Sequence, residues 1–292
     1  MIKLDIAHKK FIDQLKEDGK SESTLVAYKK DIEQLTEHLA YKGVQTTAEI
    51  QLVHLEEFMG DLASKNYTPK SISRKTNATR TFLKFLHGLG HISENIAEML
   101  KHPKLEVKAP RILSKMEYRA LRDAARDDLR SYAMIEVLLQ TGVTISELAD
   151  IKLENMGIKG DTGTMFIPKK NNHDARTIPL NKAVIEAINK YLNNNDRTKI
   201  ASAKHLFITK TGKPLLVRNI RSTIDRYFRL AGVEKARVND LRHTFVAHHL
   251  QAGVSILHLS RIAGHKRIST TERYLQYIER VEGQDKTELG VL

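Results

Sequence analysis

The sequence predicts a mainly α protein, with a helical N-terminal domain, a basic linker, and a mostly helical C-terminal domain carrying a small antiparallel sheet. Three observations predict it. Apolar residues recur at i, i+3 and i+4 through about the first 100 residues. The stretch 102–112, HPKLEVKAPRI, has two prolines, four basic residues and no helical period, as expected of a linker. Two short runs of strand-forming residues, 164–168 and 176–180, then flank the polar KKNNHDA in a region that otherwise reads as helix.

Leu4, Ala7, Phe11, Ile12 and Leu15 form the apolar stripe of a first helix, which Gly19 ends. Residues 21–24 supply the cap of a second helix reaching about Tyr41, with Leu25, Tyr28, Ile32, Leu35 and Leu39 on one face and Gly43 beyond it. A third helix covers about 52–64. Thr68-Pro69 opens a fourth to about Leu89, with proline at the first helical position, where its missing N–H costs nothing. This helix carries Lys70, Arg74, Lys75, Arg80 and Lys84, which read either as a solvated face or as a DNA-facing one.

Past the linker, Ser114-x-x-Glu117 is a capping box that starts a new helix. Another spans about 129–140 and stops at Gly142. The strands 164–168 and 176–180 make a hairpin, and LFIT at 206–209 reads as a third strand. Helices are expected at about 181–193, 217–231, 239–252, 254–263 and 270–279.

Lys and Arg number 48 against 35 Asp and Glu, a net charge of +13. That surplus favours polyanions, because neutralising backbone phosphates releases condensed counterions. There is no Cys, hence no disulfide framework and no thiolate metal site, which suits a reducing cytoplasm. No apolar run approaches the ~18 residues needed to cross a bilayer, and the opening MIKLDIAHKKFIDQL is charged throughout. The expectation is a cytoplasmic protein with a nucleic-acid partner and no membrane partner.

One cluster in the C-terminal half can do chemistry: Arg242 and His243 in LRHT, His265 after Gly264, and Tyr274. An arginine grips a phosphate with two parallel charge-assisted hydrogen bonds. A histidine donates to a phosphate oxygen or moves a proton near neutral pH. A tyrosine hydroxyl is a covalent nucleophile when neighbouring cations favour its phenolate. Other chemistries are poorly supported. Thr211-Gly212-Lys213 lacks the surrounding phosphate-loop pattern, and Lys210-Thr211-Gly212 has no S-x-x-K to accompany it. His243, His248 and His249 lack the i, i+4 spacing of a helical zinc pair. No metal and no cofactor is expected.

Leu241-Arg242-His243-Thr244, Gly264-His265 and then Tyr274, nine residues after His265, resemble the end of the active-site pattern of the tyrosine site-specific recombinase (phage integrase) family, in a Xer-like layout. TGVTISEL at 141–148 resembles that family's TGxRxSEL segment, and Arg176-Thr177-Ile178-Pro179-Leu180 the strand closing its lysine-bearing hairpin. Pro110 to Ser114, with Glu117, is similar to the opening of its catalytic domain. The resemblance implies a helical, SAM-like core-binding domain over 1–105, a basic linker over 106–112 and a catalytic domain over 113–292.

It further implies a DNA strand-exchange enzyme working as a tetramer on two double-stranded sites. Tyr274 would attack the scissile phosphate and form a 3′-phosphotyrosyl bond, while Arg242 and His265 hold the non-bridging oxygens. A hairpin lysine would protonate the leaving oxygen, Lys170 or its neighbour Lys169. Glu147 and His243 would orient their neighbours, and Lys169, Arg218 and Arg221 would track DNA phosphates with the helix-four cations.

Two positions depart from the pattern. Thr144 stands where the family has its first catalytic arginine, and a threonine cannot grip a phosphate bidentately. Removing one such donor costs roughly 10²–10³ in rate. Asn239 replaces the histidine of H-x-L-R; it can still hydrogen-bond a phosphate but cannot serve as a base. Position 144 is thus degenerate, engineered or served by another cation, and the alternative function is a DNA-binding relative with silent chemistry. The tail beyond Tyr274, with Leu275, Ile278, Val281, Leu289, Val291 and Leu292, suits packing on a neighbouring subunit. Integration, resolution and transposition share this chemistry, and accessory proteins would choose among them.

Overall fold

The computed structural model describes residues 2–106, 108–170, 174–194, 203–278 and 289–292. The chain divides into two units, Met1–Lys108 and Ala109–Leu292.

Four helices make the first unit: α1 (Leu4–Glu17), α2 (Glu22–Tyr41), α3 (Leu52–Ser64) and α4 (Pro69–Gly88). The Ser21 hydroxyl accepts from the Thr24 amide at 3.2 Å to start α2, and Thr68 does the same for Ser71 at 3.2 Å to start α4. Their apolar stripes meet in one core, with Phe11 edge-on to Phe82 at 5.2 Å and Leu35, Leu39, Leu55 and Leu83 fully buried.

Two of the cations expected to face DNA from α4 do not. Lys75 lies on the same stripe as Thr79, Phe82 and Leu86, so the helical period turns it inward, where it is 3% exposed. Its Nζ lies 2.7 Å from the carboxylate of Asp31, itself buried, and Arg74 pairs with the same carboxylate from the rim. Arg80 donates to the carbonyls of Ala97 (3.2 Å), Glu98 (3.3 Å) and Leu100, closing the 3₁₀ turn Ile96–Met99. Lys70 and Arg74 stay exposed.

The second unit comprises α5 (Lys115–Ala124), α6 (Leu129–Thr141), α7 (Ile145–Asp150), β1 (Met156–Lys159), β2 (Thr162–Ile167), β3 (Arg176–Leu180), α8 (Lys182–Leu192), α9 (Val217–Leu230), α10 (Val238–Gln251), α11 (Ile256–Ala263) and α12 (Ser269–Glu272), with the 3₁₀ turn Arg273–Tyr277 after it. From Ala133 onward every residue of α6 is buried, so this helix is the axis of the core, wrapped by α5, α8, α9 and α10. The polar residues of this buried stretch are satisfied there. Glu136 receives Arg122 at 3.0 Å, and Gln140 exchanges hydrogen bonds with the backbone of Leu292 at 3.1 and 3.2 Å. Leu289 and Leu292 thus pack on the unit's own core, whereas Val281 lies outside the described residues.

The sheet has the order β1-β2-β3, antiparallel throughout, with Met156 opposite Met165 and Met165 opposite Ile178. Met165, Ile167, Ile178 and Leu180 point into the core. Strand β1 was not expected, because MGIK is short and contains a glycine. Conversely, 206–209 is not a strand: Leu206, Phe207 and Ile208 are buried but make only isolated bridges, His205 with Lys152 and Ile208 with Pro214. A short apolar run has no period that separates strand from buried loop. The hairpin connection is described only at Pro168, Lys169, Lys170, Asp174 and Ala175.

Candidate active site

Tyr274 sits on the 3₁₀ turn Arg273–Tyr277 rather than inside the expected helix, and only 6% of it is exposed. Its hydroxyl lies 2.5 Å from Nδ1 of His243, which reaches it from α10. Burial pushes the phenol above its ordinary pKa, and the charges of Arg242 and Arg273 pull the other way. On the far side of the imidazole, Nε2 contacts the amide nitrogen of Asn239 at 2.9 Å, one helical turn earlier. Asn239, His243 and Tyr274 therefore form a continuous chain.

Arg242, the residue before His243, is 8% exposed and donates Nη1 to the carbonyl of Gly142 at 2.5 Å. Gly142 ends α6 at φ +63, and a Cβ there would lie 2.3 Å from the Phe245 ring, so only glycine lets α6 end against α10. Burial lowers the Arg242 pKa; the nearby Glu147 opposes this, and Arg176 reinforces it. A guanidinium stays charged all the same.

Thr144, in place of the expected arginine, is the N-cap of α7. Its hydroxyl accepts from the Glu147 amide at 3.2 Å, while its own N–H donates to Glu147 Oε2 at 2.7 Å. Glu147 is gripped by Arg176 through two bonds, 2.6 and 3.1 Å. Burial works against the Glu147 carboxylate, but Arg176 and the Thr144 amide outweigh it and hold its pKa below the usual range. Arg176 also donates Nε to the Ile262 carbonyl at 2.7 Å. It passes under Gly264, at φ +72, where an added Cβ would fall 2.8 Å from the guanidinium carbon. His265 follows at once, with Nδ1 2.7 Å from the hydroxyl of buried Thr271.

The structure thus brings Tyr274, His243, Asn239 and Arg242 together, with Thr144 and Glu147 next to them through Arg176. Lys170 instead pairs with Asp150 at the end of α7, both about half exposed at 54% and 46%. Such an exposed pair is worth about 0–1 kcal/mol and exchanges readily for a phosphate. Lys169, Arg218 and Arg221 are exposed. A cavity of about 460 Å³ opens beside Arg242, lined also by Arg221, Arg237 and Asn239 over Val143 and Ile145. A second, about 420 Å³, lies along Arg176, Arg261, His265 and Lys266. Arg176 as a clamp was not legible in sequence, where it reads as a strand residue; the contact of Asn239 with His243 was missed too, and their i, i+4 spacing is the signal that could have found it. Among the described residues no cluster of three His, Asp or Glu is arranged for a metal ion.

Comparison with known proteins decides the family. Residues 110–279 match the model of the phage integrase family, and residues 9–88 match the phage integrase N-terminal SAM-like domain.

The chain belongs to the phage integrase family.

The family match spans Thr144, Arg242, His265 and Tyr274 together. The chain is 31% identical over 236 residues to tyrosine recombinase XerC of Natranaerobius thermophilus, covering 77% of this chain and 78% of that one. It is 28% identical over 266 residues to tyrosine recombinase XerD of Vibrio cholerae, covering 88% and 87%. In fold it is similar to a lambda integrase dimer bound to a core site, with TM-score 0.74, 16% identity, and 92% and 97% of the two chains covered. It is also similar to a lambda integrase tetramer bound to a Holliday junction, with TM-score 0.72, 17% identity, and 92% and 79% covered. Among the described residues of this family member, no helix is long and apolar enough to cross a membrane.

Proposed function

We propose that this chain is a tyrosine-type site-specific DNA recombinase that cuts and rejoins strands through Tyr274. The observation that carries the reading is the buried Tyr274 hydroxyl, 2.5 Å from His243 and beside the Arg242 guanidinium on the same helix. In the proposed step the Tyr274 oxygen bonds to phosphorus and the phosphorus–O5′ bond breaks, leaving a 3′-phosphotyrosyl link. The 5′-oxygen takes a proton from Lys170, released from Asp150, or from Lys169. Arg242 and His265 hold the non-bridging oxygens as charge builds. The covalent link conserves the phosphodiester bond energy, so no ATP or metal is called for.

In this reading residues 1–105 form the core-binding domain and 113–292 the catalytic domain, joined by the linker 106–112. Lys70 and Arg74 with Arg218 and Arg221 track phosphates. The working form is a tetramer on two double-stranded sites in the cytoplasm, with accessory proteins choosing the biological outcome. The capped state of Thr144 favours a second reading, a DNA-binding family member with silent chemistry.

Duplexes selected for binding from a random-sequence pool, then nicked near the selected centre, separate the two. A denaturant-resistant adduct that vanishes in Tyr274→Phe supports the enzyme. Tight, salt-sensitive binding with no adduct from the chain or from Thr144→Arg overturns it.

A further inference from the structure

Resting on the recombinase reading above, we propose that His243 takes the proton of Tyr274 as the phenol attacks phosphorus, with Asn239 holding the resulting imidazolium from behind. The Tyr274 hydroxyl is 2.5 Å from His243 Nδ1, and the rings are tilted by 48° with centroids 5.7 Å apart. Position 239, which has a histidine in the motif this chain resembles, holds an amide with no titratable nitrogen. The base function at this end of the site therefore falls to the neighbouring turn of α10.

Proton and electron balance follow directly. The Tyr274 Oη–H proton moves to Nδ1, Oη bonds to phosphorus, the phosphorus–O5′ bond breaks, and O5′ takes its proton from the hairpin lysine. The imidazolium then carries N–H on both nitrogens, and its Nε2–H needs an acceptor. Asn239 meets Nε2 with its amide nitrogen at 2.9 Å; a half-turn of the amide places Oδ1 there in the same volume. In that form the Nδ1 lone pair faces the phenol. The charged groups around the ring are Asp240 and Arg242 from α10, with Arg273 beside Tyr274 on the following turn. Burial lowers the His243 pKa, leaving it neutral and able to accept at pH 7.

Two measurements test this. The first uses the chain without DNA, with tyrosines ¹³C-labelled at Cζ and the Tyr274 resonance assigned from Tyr274→Phe. Replacing His243→Gln, which keeps the side-chain volume, is expected to shift the Tyr274 titration midpoint. An unmoved midpoint overturns the contact. The second follows adduct formation on the selected nicked duplex, both in the chain itself and in Thr144→Arg. His243→Ala and His243→Gln are expected to slow it by about 10²–10⁴-fold. The His243→Ala deficit should shrink with added imidazole, and as pH rises toward the phenol's burial-raised range. It should persist on a duplex with sulfur at the 5′-bridging position, where Lys170→Ala should lose its defect. An adduct from either parent combined with a His243→Ala rate within about threefold of it overturns the base role alone. No adduct from either parent overturns the recombinase reading, and the base role with it.

Discussion

Arg176 holds Glu147 with Nη1 at 2.6 Å from Oε1 and Nη2 at 3.1 Å from Oε2, and this pair ties three separated segments into one site. Glu147 belongs to α7, Arg176 opens β3, and the Arg176 Nε bond to Ile262 anchors the end of α11 just before His265. Side-chain exposures of 8% and 10% mean that neither charge has water to fall back on.

Removing one partner should therefore cost more than the pair contributes. Arg176→Ala leaves the Glu147 carboxylate buried and uncompensated, for an expected loss of about 3–5 kcal/mol in urea unfolding of the second unit. The double variant Arg176→Ala with Glu147→Gln should recover part of that loss. A single-variant loss below about 1 kcal/mol would contradict a buried, coupled pair.

Thr144→Arg has opposed effects on stability and activity. The cap of α7 is lost, at about 1 kcal/mol of stability, read as a lower melting temperature. The introduced guanidinium sits beside Glu147 and Arg242, and adduct formation should rise by roughly 10²–10³. If the chain itself forms the adduct, a variant that loses stability with no gain in adduct rate would show that another cation already serves the phosphate.

Lys75 and Lys70 should behave differently although both lie on α4. Lys75→Ala strips Asp31 of its buried partner and should destabilise the first unit by about 3–5 kcal/mol. Lys70→Ala should leave stability within about 0.5 kcal/mol, weaken DNA binding, and lower the slope of log affinity against log salt by about 0.9. Urea melts and salt titrations of binding measure the two.

His249 gives the second unit an acid-sensitive element. Burial lowers its pKa from the ordinary 6.5 to about 4, with the Phe245 carbonyl 2.9 Å from Nδ1. The unfolded chain binds a proton between those values that the folded chain refuses. The stability contribution is thus complete above about 6.5 and declines as pH falls toward about 4, by ~3 kcal/mol in all. His249→Gln should flatten melting temperature against pH across that interval; an unchanged slope would assign the acid sensitivity elsewhere.

The sequence by itself determined most of the helices, though not α7 or the 3₁₀ turn at Tyr274, and the order of chemical residues along the chain. These are local properties. Helical periodicity and caps such as Ser114 with Glu117 are each written within a few turns of chain, and the spacing of Arg242, His265 and Tyr274 is written along one continuous stretch. Only the tertiary structure decided which groups meet each other. The α4 period alone turns Lys75 inward with Phe82, but the partner that meets it there, Asp31 of α2, is set by packing. The 3₁₀ turn that aims Tyr274 at His243 and the run of Arg176 beneath Gly264 join residues 31 and 88 positions apart. Such contacts depend on how elements pack, and packing between distant segments leaves no period in the chain.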